Sequence, residues 1–150
     1  MSSLSGDTIE RVIKQFASPE TRKAFLGVFP IDSLPTSIPH YPMFMVINTH
    51  SHNLPGEHWL TIYISEDKIG EVFDPLGRAV SNFLIRWLNQ HTKRWTTSRR
   101  LYQHPLSDKC GGYAVYYILH RLQRKDIPLT KSPIANDVLV STFYNTLIGK

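Results

Sequence analysis

Four residues of this 150-residue chain combine reactive or polar side chains with positions at the ends of expected elements: His58, Asp74, Gln103 and Cys110. Cys110 is the sole cysteine, so no internal disulfide can form. It opens the stretch "DKCGGYAVYY", which reads as the start of a helix. Unpaired N–H groups and the helix dipole favour an anion there, lowering a thiol's pKa and populating the thiolate nucleophile. Gly111 and Gly112 follow, removing side chains where a substrate backbone or a neighbouring strand would approach. Gln103, seven residues before the cysteine, supplies an amide donor. Together with the backbone N–H of Cys110, such a donor can stabilise the oxyanion of a tetrahedral intermediate.

The other two residues flank a hairpin, "GEHWLTIYISEDKIGEVFDPLG". A three-residue loop at Ser65, Glu66 and Asp67 puts Ile64 opposite Lys68 and His58 opposite Asp74. The pair then shares one sheet face, with Cβ atoms roughly 5 Å apart. A carboxylate so placed accepts the imidazole Nδ1–H, fixes its tautomer and stabilises its protonated form. Glu71 points to the other face and is the poorer acid. Each residue has an ordinary reading too: a helical Cys is usually a small buried hydrophobe, and Asp before Pro starts turns. Taken together the four supply a base, an orienter, a polar donor and a nucleophile, each at an element end. His50, His52 and His58 match no common metal-site spacing, so no metal is expected. No G-x-S-x-G elbow, P-loop or Rossmann glycine pattern occurs.

The elements that must hold these residues are legible in outline. A helix is expected around Thr8 to Phe16. Ser18 and Pro19 cap a second over 19–26. Four prolines from Pro30 to Pro42 impose an extended connection. "MFMVINT" reads as a buried strand, "HSHNLPG" as a loop. "HWLTIYI" alternates and forms the hairpin with "KIGEVFD". Val80, Phe83, Leu84, Trp87, Leu88 and His91 make an amphipathic helix. "SRRLYQH" reads as a short strand with Leu101 buried. A broad apolar band from Cys110 to Leu122 predicts a central helix, and Ser132–Pro133 starts a last one. The fold class is α+β: a central mixed or antiparallel sheet flanked by helices, in a single domain spanning 1–150.

The net charge of +5 is concentrated: residues 86–131 carry ten Lys/Arg against two Asp. Arg94, Arg99, Arg100, Arg121, Arg124 and Lys125 are therefore candidates for contact with nucleic acid. No secretory leader or apolar run long enough to span a bilayer is visible, and one cysteine suits a reducing compartment. An intracellular, non-membrane, monomeric protein is expected.

At "INT…GEHWLTIY", "VFDPLG" and the Gln103-to-"CGGYAVYYILH" spacing, the chain resembles the adenovirus-type cysteine proteases (adenain). These are relatives of the SUMO- and ubiquitin-like-protein proteases. "FLGVFPID" is also similar to their N-terminal portion, and the likeness runs over roughly residues 25 to 123. The resemblance implies a papain-like, adenain-like fold with Cys110 as nucleophile and His58 as base. Asp74 would orient His58, Gln103 would complete the oxyanion hole, and Trp59 would help wall the cleft. It implies cleavage at glycine-containing sites (Gly-Gly or Gly-X-Gly-like) in viral precursor polypeptides, in the host nucleus and virion. DNA or a viral peptide would act as activator, with no cofactor needed for the chemistry. The family commonly has Glu where Asp74 stands, and its disulfide-linked activator mode needs a second cysteine that this chain lacks. Two other readings stand beside it: a processing enzyme for ubiquitin-like modifiers, which would use the same four residues, and a non-catalytic nucleic-acid-binding module, which would use the basic half and exposed aromatics and leave the ordered His–Asp–Gln–Cys set unexplained.

Overall fold

The computed structural model describes residues 3–49, 58–105, 107–124 and 127–149. Two helices open the chain, α1 (Gly6–Phe16) and α2 (Pro19–Ala24). Ser5 and Ser18 cap them, each hydroxyl accepting from the N–H three residues on at 3.2 Å. The expected 19–26 helix stops at Ala24, because "FLGVFP" is taken up as β1 (Phe25–Pro30). That strand was invisible to periodicity. Gly27 sits at a φ of +142° where the register shifts, which breaks the apolar alternation.

Strands β2 (Met43–Asn48), β3 (Trp59–Ile64) and β4 (Ile69–Phe73) follow as expected. After them come helix α3 (Asn82–His91) and a short β5 (Arg94–Thr97). The last strand was expected later, at "SRRLYQH". Instead Thr92 closes α3, its Oγ1 donating to Leu88 O at 2.7 Å, and the chain pairs at once with β4. Leu101, expected in the core, is 42% exposed, and Phe83 also lies outside the buried stripe of α3. Helices α4 (Cys110–Arg121) and α5 (Pro133–Ile148) complete the chain.

The sheet is mixed, in order β1-β2-β3-β4-β5. The outer pairs β1·β2 and β4·β5 are parallel and the inner ones antiparallel. Its two faces bury separate cores, as the alternation of "HWLTIYI" requires. Trp59, Tyr63 and Phe73 face a core built with α1, α4 and α5. Leu60, Ile62, Ile64 and Val72 face Leu84, Trp87 and Leu88 of α3. Helix α4 is buried along most of its length between the sheet and its neighbouring helices.

The β3–β4 hairpin turns one residue later than expected. Ser65 N–H donates to Ile69 O at 3.0 Å, Ile64 pairs with Gly70, and Lys68 occupies the left-handed region at φ +64°. A loop moved by one residue shifts the pairing by two, which preserves every side chain's face. Lys68→Gly is therefore expected to raise unfolding stability by roughly 0.5–1 kcal/mol, because glycine adopts this φ without the Cβ penalty. Urea denaturation measures it; a destabilised variant would contradict this turn.

Candidate active site

Asp74 ends the strand that carries it, and the turn after it fixes the carboxylate. Its Oδ1 accepts the Leu76 N–H at 2.8 Å and its Oδ2 the Arg78 N–H at 3.3 Å. Its carbonyl accepts the Gly77 N–H at 2.9 Å. Gly77 has φ +62°, and a Cβ there would lie 2.6 Å from Arg100 O. The glycine of "DPLG" thus lets the turn lie against residues 100–103. There the Pro75 carbonyl accepts two backbone N–H groups, from Tyr102 at 2.8 Å and Gln103 at 2.9 Å. The acid and the amide are consequently built from one turn.

His58 precedes β3 and meets Asp74 through Nε2, 2.8 Å from Oδ1. The partner is the expected one, but the nitrogen is not: Nδ1 was expected to donate to the acid. The later hairpin turn makes the pair diagonal rather than directly opposite. Cys110 lies within hydrogen-bonding reach of the same imidazole, so the ring bridges thiol and carboxylate. Burial alone would lower the His58 pKa. The hydrogen bonds to Asp74 and then Cys110, with their charges, outweigh it and raise the pKa to about 9. His58 is 3% exposed and Cys110 4% exposed.

Cys110 is the first residue of α4. The other four α-helices each have a Ser hydroxyl accepting from their first turn, whereas Lys109 at the start of α4 makes no side-chain cap bond. The leading N–H groups of α4 are left without a serine cap beside the thiol. Gln103 is buried, and its Nε2 donates to Ser107 O at 2.9 Å. An amide nitrogen carries two hydrogens, so one remains. Its Oε1 has no partner among the described residues.

This is an imidazole held between a carboxylate and a thiol at an uncapped helix start, with a buried amide nearby. No family profile matches the chain. It is 28% identical over 153 residues to the Protease of fowl adenovirus A serotype 1 (strain CELO / Phelps), covering 91% of this chain and 73% of that protein. The chain is similar in sequence to an adenovirus protease. In structure it is similar to the ASFV pS273R protease, with a TM-score of 0.61 at 18% identity over 81% of this chain. The chain spans 58% of that protease's length. The central domain of the uncharacterized Lpg1148 protein from Legionella pneumophila also shares the fold, with a TM-score of 0.52 and 14% identity over the whole of both chains. The expected adenain-like α+β fold is the one found.

The remaining expected site residues fall into two groups. Trp59 is buried, with its indole Nε1 donating to Leu4 O at 3.1 Å. A Cβ at Gly111 would come within 3.0 Å of the Leu4 Cβ. The small residue after the thiol thus accommodates the chain's own N-terminal segment. Gly112 is buried beside it. Of the basic candidates, Arg94, Arg99, Arg100 and Arg124 are exposed. Arg121 is not available: it holds Glu71 through two hydrogen bonds of 3.0 Å. Lys125, His50 and His52 lie outside the described residues. No group of three metal-ligating side chains converges among the described residues, and no described helix is long and apolar enough to cross a membrane.

The missed features are backbone ones, the paired N–H groups on Pro75 O and the Leu4 contact; only Gly77 after "DP" signalled the turn. Because His58 is raised from 6.5 to about 9 on folding, its protonated form stabilises the native state fully below about pH 6.5. That contribution is lost as pH rises through about 9. Melting temperatures of wild type should fall over this window, and those of Asp74→Asn should fall less. Parallel curves would contradict the coupling.

Proposed function

We propose that this chain is a cysteine endopeptidase in which Cys110, His58, Asp74 and Gln103 carry the reaction. The observation that carries the reading is the 2.8 Å His58–Asp74 contact with Cys110 hydrogen-bonded to the same ring. Asp74 occupies Nε2, which leaves Nδ1 as the ring nitrogen to exchange a proton with the thiol. The Cys110 thiolate attacks the scissile carbonyl carbon. Negative charge gathers on the carbonyl oxygen, where the Cys110 N–H and the second hydrogen of Gln103 Nε2 stabilise it. As the tetrahedral intermediate collapses, the C–N bond breaks and imidazolium returns its proton to the leaving amine. A water deprotonated by His58 then attacks the thioester and releases the acid, regenerating the thiol.

Support for a substrate class comes from burial. With His58 and Cys110 both nearly inaccessible, a residue beside the scissile bond must be small. Glycine-containing sites are the substrate we propose, in precursor polypeptides of a virus, as the homology to an adenovirus protease favours. An apolar groove of about 420 Å³ is lined by Lys109, which precedes Cys110 in sequence, and by Ile134 and Val138 of α5. It offers room for substrate side chains beyond the glycine. An activating polyanion would use Lys93, Arg94, Arg99 and Arg100, all exposed around β5. DNA-stimulated cleavage that weakens as salt rises would support that contact, and salt-indifferent activity unchanged by DNA would remove it.

Cys110→Ala is expected to abolish cleavage of a Gly-Gly peptide, and Asp74→Asn to slow it by roughly a hundredfold. The thiol is best read directly, by alkylation rate between about pH 4 and about pH 9. A plateau well below the free-thiol pKa of about 8.5, lost in His58→Ala, is the expected result. A rate that rises only near that pKa and ignores His58 would make the cysteine structural. Cleavage of an intact modifier with a Gly-Gly tail, but not of the peptide, would favour the modifier-processing reading.

A further inference from the structure

A polar cluster outside the site lies on the α4 face of the sheet. Glu71, in the middle of β4, accepts from Arg121 twice: Nε to Oε1 and Nη2 to Oε2, both at 3.0 Å. Tyr117 donates its hydroxyl to the same Oε1. The Arg121 guanidinium lies 4.8 Å over the Tyr63 ring of β3. The Tyr117 ring stacks on Phe73 of β4, with centroids 4.5 Å apart and planes 12° off parallel. Two strands and one helix are thus joined by contacts that each have a preferred orientation. A bidentate guanidinium–carboxylate pair holds two planes in register, which a lysine cannot do.

The placement relative to the site is what gives the cluster a consequence. Glu71 lies in β4, three residues before Asp74, which directly follows the strand's last residue, Phe73. Tyr117 and Arg121 lie seven and eleven residues after Cys110 on one continuous helix, about two and three turns on, along the same stripe. A helix packed on a sheet by apolar side chains alone can slide or roll at modest cost. A partly buried ion pair gives little net stability once its desolvation is counted, so its distinctive contribution is geometric.

We propose that Glu71, Tyr117 and Arg121 form a positioning clamp that fixes the height and rotation of α4 against β4, and so sets Cys110 against the His58 that Asp74 holds. None of the three is a catalytic residue. The clamp rests on the cysteine-protease reading above and extends it to residues that touch no reacting atom.

The test is the titration of His58 by NMR, with the alkylation profile of Cys110, in wild type, Arg121→Lys, Glu71→Gln and Tyr117→Phe. Arg121→Lys is the deciding variant, because it leaves the charge of the trio unchanged, so a changed titration in it reports moved geometry rather than a lost charge. Arg121→Lys keeps the charge and loses the fork. It should retain the native circular dichroism, lower the His58 midpoint, and slow alkylation at about pH 6 by roughly ten- to a hundredfold. The loss on a peptide substrate should fall on kcat more than on KM. Folded variants whose His58 titration and alkylation superimpose on wild type would overturn the clamp. Unfolding of Arg121→Lys would overturn it as well, assigning the trio to stability. If wild-type alkylation is itself independent of His58, the catalytic reading fails first and the clamp falls with it.

Discussion

Everything at this site depends on satisfying a carboxylate where water scarcely reaches. Asp74 is 4% exposed, and a buried polar group without hydrogen-bond partners is costly. Three donors meet its oxygens: the Leu76 and Arg78 N–H groups from its own turn and the imidazole from across the hairpin. The turn gives up backbone donors to the acid, and the acid fixes the ring. The ring then presents its other nitrogen towards the thiol. Remove the local donors and the His58 interaction becomes a bare buried ion pair, whose desolvation rivals its attraction.

The fold serves this arrangement by bringing three element ends to one place. β4 ends at Phe73, β3 begins at Trp59, and α4 begins at Cys110. Ends are where backbone donors and acceptors lack repetitive partners, so chemistry can use them without breaking a ladder. The Pro75 carbonyl illustrates this: with no strand partner, it takes the N–H groups of Tyr102 and Gln103 and so ties amide to acid. On the helix side, the Tyr113 hydroxyl donates to Asp137 Oδ1 at 2.7 Å and lies 3.0 Å from Tyr102 O. Asn136 Nδ2 reaches the same Tyr102 carbonyl at 3.1 Å. The segment carrying Gln103 is therefore pinned from the turn below and from α4 and α5 above.

The N-terminal segment is part of this construction rather than an appendage. Leu4 packs on Gly111 and accepts from the indole of Trp59. Those residues adjoin Cys110 and His58 in sequence. Their smallness and breadth could be read as space for a substrate, yet in the folded chain they receive Leu4. A residue type next to a reactive group reports a close approach; it does not report what approaches.

What was legible from the sequence were the pairings governed by short-range rules. Alternation in "HWLTIYI" assigned each side chain a face, and because faces repeat every two residues, His58 and Asp74 stayed together despite a displaced turn. Serine caps, Ser-Pro starts and the band after Cys110 located the helices. What misled were the segments whose state is decided by a neighbour: "FLGVFP" becomes a strand because β2 offers it an edge, and β5 forms at Arg94–Thr97 because β4 does. The sequence by itself determined which side chains the chemistry can draw on and the order in which they come. Only the tertiary structure decided that Nε2 faces the acid, that Arg121 is bound to Glu71 and that Gly111 receives Leu4. Each of those depends on contacts between residues far apart in the chain, whose geometry no local periodicity encodes.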